Sequence, residues 1–177
     1  MSNPRVFPVF VPLSVCLNNA ELSYVTKQKY LGVILSSDQK DDLSIENCMR
    51  GIYARGNILL RHFKQCNDDT KCQLFKSYCT SFYCCQLWSL FSVETFRRLK
   101  VSFNRIFRLL FNLGNLVSIS NSLLLYKIDH FDVLLRKMIS GFYDRVNNSV
   151  NPLVNNVVSS LYFLQSRLYK QWKAKLF

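Results

Sequence analysis

KYLGVILSSD, Lys29–Asp38, is where the chain changes period. Tyr30, Leu31, Val33, Ile34 and Leu35 are strand formers, and Gly32 interrupts them. The stretch reads as a strand running into a polar turn. A glycine inside a strand weakens it and marks a bulge or the close approach of another backbone. Before this stretch the apolar residues favour extended chain; after it they recur at helical spacing.

Upstream, Val6, Phe7, Val9, Phe10 and Val11 are strand formers, while Pro4, Pro8 and Pro12 confine that piece to an edge or to irregular extension. Val15–Leu17 leads to Asn18–Asn19, a pair that tolerates positive φ in a turn. Leu22, Tyr24 and Val25 follow, then the opening strand. The expectation is a hairpin with a third strand beside it. Downstream, Ser36–Asp42 is a polar connector and the rest reads as helices. The fold class is α+β, mostly α: short N-terminal antiparallel strands followed by a helical bundle. Three parts are expected, 1–42 (β), 43–114 (basic helical bundle) and 115–177 (helical extension).

Ser44 is the expected N-cap of the first helix, with Glu46 in its first turn. Ile45, Met49, Ile52, Leu59, Leu60 and Phe63 share one face; Arg50, Arg61 and Lys64 lie opposite. Gly51 and Gly56 each weaken a helix by up to about 1 kcal/mol relative to alanine, so close packing is the expected reason for them. Asn67–Thr70 supplies a break and a new cap. A second helix, about Thr70 to Phe91, is apolar nearly all round and therefore central. Ser92 and Glu94 start a third, with Phe96, Leu99, Phe103, Ile106, Phe107 and Leu110 inward and Arg97, Asn104, Arg105 and Arg108 outward. Gly114 is the expected stop. A short helix over Ser120–Lys127, an amphipathic one over Phe131–Val146, and a last one from Asn151–Pro152 to about Lys175 complete the pattern.

The chain has 177 residues, 49% hydrophobic and 14% aromatic, enough to bury a core. Its net charge of +12 is uneven. Met1–Glu46 holds four basic and five acidic residues; the remainder holds 19 basic against 6 acidic. A near-neutral start joined to a basic body points to a polyanionic partner, nucleic acid before an anionic membrane surface. The seven cysteines are odd in number and irregularly spaced, and Met1–Arg5 has no apolar signal segment. Reduced thiols in a cytoplasmic or nuclear, intracellular protein are the expectation. The cysteines and the two histidines, His62 and His130, lack zinc-site spacing. Ser77–Val93 is uncharged but rich in Ser, Thr and Gln, and reads as a buried helix rather than a membrane span.

Chemistry is sparse. Asp41–Asp42 and Asp68–Asp69 sit in polar connectors just before helices, where capping explains acids without a metal. The five glycines make no phosphate-cradling loop, and no serine stands in a nucleophile elbow. His62 reads as solvated, and Asp129 as the cap beside His130. The basic stripes say more. Arg97, Arg98, Lys100, Arg105 and Arg108 fall within a few turns, with no acid between Arg97 and Arg108. Each cation set against a phosphate releases counterions and adds affinity without reading sequence.

The order of segments carries a resemblance. The strand KYLGVILSSD, an acid-rich connector and the helix IENCMRGIYARGNILLRHF (Ile45–Phe63) are followed by KCQLFKSYCTSFYCCQLW (Lys71–Trp88) and RRLKVSFNRIFRLLF (Arg97–Phe111). Over roughly Asn18–Leu113 this resembles the end of the palm and the thumb of reverse transcriptases from non-LTR (LINE-type, jockey-like) retrotransposons. There the last palm strand commonly reads (K/R)YLG(V/H). The resemblance implies a primer-grip role for Tyr30, Leu31 and Gly32. It also implies thumb helices that track the minor groove of an RNA or DNA template–primer duplex. Arg50, Arg61, Lys64, Arg97, Arg105 and Arg108 are the candidate contacts.

The family's polymerase carboxylates, an Asp in an earlier palm strand and an aromatic-Ala-Asp-Asp turn, have no counterpart here. Arg5 does not match the family lysine that assists nucleotide incorporation. The expectation is a carboxy-terminal portion of an RNA-directed DNA polymerase, inactive alone. It would bind no cofactor itself, the Mg²⁺ of the intact family enzyme belonging to the missing carboxylates. Two alternatives remain: a stand-alone basic helical nucleic-acid-binding module, and an aromatic-rich helical protein that binds other proteins or membrane surfaces.

Overall fold

The computed structural model describes residues 15–18 and 20–176. The extension expected over Val6–Val11 and Asn19 of the expected turn lie outside them. Among the described residues, two antiparallel hairpins precede eight α-helices, so the mostly helical α+β class holds. The first hairpin pairs β1 (Cys16–Leu17) with β2 (Ala20–Glu21), and Asn18 takes φ 52° at its turn. The second pairs β3 (Lys27–Tyr30) with β4 (Val33–Ser36) in the register Tyr30↔Val33 to Lys27↔Ser36.

KYLGVILSSD is thus two strands and a turn rather than one strand with a bulge. Leu31 and Gly32 have φ 45° and 84°. Positive φ at both central residues matches the right-handed twist of the flanking strands in a two-residue hairpin loop. Gly32 meets that requirement without strain; Leu31 does so against the preference of a bulky side chain. The third strand expected beside the first hairpin is instead half of a separate hairpin.

The helices are α1 (Asp42–Phe63), α2 (Asp68–Cys79), α3 (Val93–Leu110), α4 (Ile119–Leu125), α5 (Phe131–Asn147), α6 (Pro152–Ser159), α7 (Leu161–Gln165) and α8 (Arg167–Leu176). α1 and α3 form the main packed pair, and Gly56 explains their closeness. A Cβ there would stand 2.6 Å from Ile106 Cγ2. Gly51 meets only the flexible end of Arg55. One cluster of buried residues runs from Ile45 through Phe75, Phe82 and Phe103 to Leu135. Phe103 is its hub, with ring centroids of Phe75, Phe82 and Phe131 at 5.2, 6.0 and 5.9 Å.

Ser44 does not cap α1. It lies buried inside the helix and staples the second hairpin to it. Its hydroxyl accepts from Ile34 N and donates to Ile34 O, both at 3.1 Å. Tyr30↔Val33 closes the two-residue loop as a hydrogen-bonded pair, so the backbone groups of Ile34 point away from β3. The serine satisfies them.

The long second helix stops at Cys79. Thr80 Oγ1 donates back to Lys76 O at 2.6 Å, and Arg55 of α1 takes the freed carbonyls of Tyr78 and Ser81. Hydroxyl, β-branched and aromatic residues compete with or crowd a helix. Residues 80–92 instead run irregularly through one 3-10 turn at Cys85–Leu87, with Cys84 at φ 58°. Their apolar side chains Phe82, Cys85 and Trp88 are buried all the same. The last helix is likewise cut in three, because Ser160 and Ser166 each turn out to accept from the amide three residues on, Phe163 and Tyr169, as caps do. Asn151 and Pro152 open α6 as expected.

Candidate nucleic-acid interface

α3 carries the densest cations, and its construction sets where they point. Ser92 Oγ accepts from Thr95 N at 3.0 Å, and Glu94 sits in the first turn. Leu99, Phe103, Ile106, Phe107 and Leu110 are buried, as their spacing predicts. The left-handed residue that stops the helix is Asn112 rather than Gly114. Asn112 takes φ 52°, its N–H reaches Leu109 O at 3.4 Å, and Leu113 N–H reaches Arg108 O at 2.9 Å, the Schellman pattern.

The outward cations divide into two groups. Arg97 makes a two-pronged pair with Glu94 at 2.8 and 2.7 Å. That contact holds the Glu94 carboxyl below its ordinary range. Arg98 meets Glu46 of α1 at 3.4 Å, and Lys100 meets Asp132 of α5 at 2.6 Å. Arg97 is therefore engaged, and the acids that engage Arg98 and Lys100 come from other elements. Towards the other end, Arg105 and Arg108 lie one turn apart and meet no carboxylate within 4 Å among the described residues.

Lys64, just past the end of α1, joins Arg105 and Arg108 around a groove of about 560 Å³. Val101 and Leu109 supply apolar lining, and the amides of Asn104 and Asn112 supply donors and acceptors. Three cations from two helices thus share one concavity, the arrangement that backbone phosphates fit. Arg108 also donates to Gly114 O and Val117 O, each at 2.6 Å. Asn104 was legible as an outward residue beside Arg105 and Arg108; Asn112 carried no such signal.

Arg50 lies elsewhere. It lines a second cavity of about 530 Å³ with Asn47, Arg55, Ser81 and Tyr83. Fourteen residues separate it from Lys64, about 21 Å along a helix at 1.5 Å per residue. Tyr83 connects this cavity to the hairpin tip: its hydroxyl donates to Leu31 O at 2.6 Å. A Cβ on Gly32 would lie 2.8 Å from Tyr83 Cε1, so the close approach that Gly32 permits is to this ring. Tyr30 and Leu31 stay exposed. Arg61 is exposed on α1 and lines neither cavity.

Asp41, Asp42 and Asp68 each hold a structural contact. Asp41 Oδ2 accepts from Ser89 N at 2.7 Å and Leu90 N at 2.8 Å, and Asp42 accepts from Ser92 N and Oγ. Burial pushes the Asp42 carboxyl up, but hydrogen bonds from Thr95 and Ser92 outweigh it and hold the group below its ordinary value. These carboxylates face amide donors and do not suit a divalent cation. Asp68 pairs with Lys71 and accepts from Tyr126. Asp129 pairs with Lys137, and His130 holds the cap position of α5 without a side-chain bond. Burial pushes the Cys48 and Cys79 thiols up to about 11, which makes them inert at neutral pH.

No family model, no curated protein and no solved structure matches the chain. No helix among the described residues is long and apolar enough to cross a membrane.

Proposed function

We propose that this chain is the palm-end and thumb portion of a non-LTR retrotransposon reverse transcriptase, and that it holds a template–primer duplex without polymerising by itself. The observation that carries the duplex-binding part is the groove of Lys64, Arg105 and Arg108, cations that meet no carboxylate within 4 Å among the described residues. The order of hairpin, connecting acids, α1 and α3 supports the family part, with KYLG at the hairpin tip. Arg50 beside the tip and Lys64 beyond the far end of α1 would follow a duplex for about six base steps at 3.4 Å each. Contacts of this kind fix position on the backbone and read shape rather than sequence. The setting is cytoplasmic or nuclear, with reduced thiols.

The test is a salt titration of binding to an RNA–DNA hybrid, read by fluorescence anisotropy. Three phosphate contacts predict a slope of log affinity against log salt of about −2.7. A flat titration removes the duplex reading. Primer extension on an RNA template, with Mg²⁺ or Mn²⁺, should give no product; incorporation would overturn the non-catalytic part alone.

A further inference from the structure

The Leu116 side chain takes no part in the buried core. It is fully exposed, more so than any other large apolar side chain among the described residues. It occupies the third position of a β-turn that Val117 N closes on Gly114 O at 3.1 Å. Turn corners favour glycine, asparagine, aspartate and proline, so a bare leucine there has no local reason. The turn is also held firmly. The Arg108 guanidinium bonds both of its end carbonyls, Gly114 O and Val117 O, at 2.6 Å each. Asn115, the residue before Leu116, lines the Lys64–Arg105–Arg108 groove. A rigid apolar tip therefore stands at the rim of a cationic groove provided with side-chain amides.

We infer that Leu116 is a wedge that enters a base step of a duplex seated in the groove from its minor-groove side. Minor-groove proteins combine these same parts: Arg, Lys and Asn along the groove, and an apolar side chain that partly unstacks one step and bends the helix. Lys64, Arg105 and Arg108 meet the phosphates, Asn112 and Asn115 face the base edges, and Arg108 also sets the wedge angle through the turn. Minor-groove edges distinguish A·T from G·C pairs only, so any base preference is of that coarse kind. Flexible pyrimidine–purine steps are the preferred points of entry. The inference rests on the duplex reading and adds a local distortion that phosphate contacts alone would not produce.

The full chain is mixed with RNA–DNA hybrids and DNA duplexes carrying one 2-aminopurine, whose fluorescence rises when it is unstacked. The expected result is a several-fold rise on binding, abolished in Leu116→Ala and kept in Leu116→Phe, which preserves an apolar tip. Arg108→Lys loses the two-carbonyl clamp and should reduce the rise measured at saturating protein. Leu116 is solvent-exposed, so thermal melting of Leu116→Ala should match the parent and confirm folding. Binding by the parent without any rise, or a rise undiminished in Leu116→Ala, overturns the wedge and leaves the duplex reading standing. Failure of the parent to bind either duplex at low salt overturns both.

Discussion

The two halves of α3 carry cations at similar density and use them in opposite ways. Arg97, Arg98 and Lys100 are each matched to a carboxylate, one from the same helix and two from α1 and α5. Among the described residues Arg105 and Arg108 have none, and Lys64 adds a third charge without one. Net charge along a helix therefore says little about free charge. What decides is which acids the neighbouring elements bring within reach, and only the fold supplies that. The first half fastens the bundle together; among the described residues the second keeps its charge clear of carboxylates, as the proposed duplex reading requires.

The comparison breaks most severely at the hinge between the halves. Phe103 is the common support of both, and Phe103→Ala should cost about 3–5 kcal/mol. A chemical-denaturation midpoint that hardly moves would show that the halves do not share a core. Next in size, Lys64→Ala with Arg105→Ala should weaken duplex binding and flatten the log–log salt slope by about 2. Arg98→Ala with Lys100→Ala should leave that slope alone. Equal losses from the two double variants would erase the distinction.

A smaller effect tests the anchor of the first half. The Asp42 carboxyl lies below its ordinary 3.8. Its contribution is complete above that value and is lost as pH falls through the folded-state value. Melting temperature should therefore fall less steeply below about pH 4 in Asp42→Asn than in the parent. Parallel curves would dismiss the anchor. Smallest of all is the Lys100–Asp132 pair, half exposed on both sides. A double-mutant cycle there should give about 0–1 kcal/mol, falling with salt.

Much of α1 and α3 was legible because their apolar residues recur at 3.6 spacing, and the starts of α2 and α3 because Asn67 and Ser92 stand where caps belong. The groove was half legible. Lys64, Arg105 and Arg108 fall on outward faces, but their meeting depends on how α1 crosses α3, which Gly56 and Ile106 decide at short range. The segment 80–92 was misread because continuous apolar sequence does not distinguish a buried helix from a buried irregular chain. Its backbone groups are satisfied from afar, by Asp41, Asp42, Gln171 and Trp172. No local pattern records partners that distant. Leu31–Gly32 was misread for a different reason: leucine is a poor turn residue, and docking on Tyr83 holds it there.

The Ser44 staple gives the second hairpin a direction of growth. On β4, the outward groups of Ile34 are taken by Ser44 and the carbonyl of Ser36 accepts from Gln39 N at 3.0 Å. On β3, the outward-facing peptide groups of Lys27 and Lys29 meet no partner among the described residues. Sheets lengthen by pairing at bare rims, and lysines along a rim discourage indiscriminate pairing. The ribbon can thus lengthen on one side at most, with the helical bundle acting as a permanent stopper on the β4 rim.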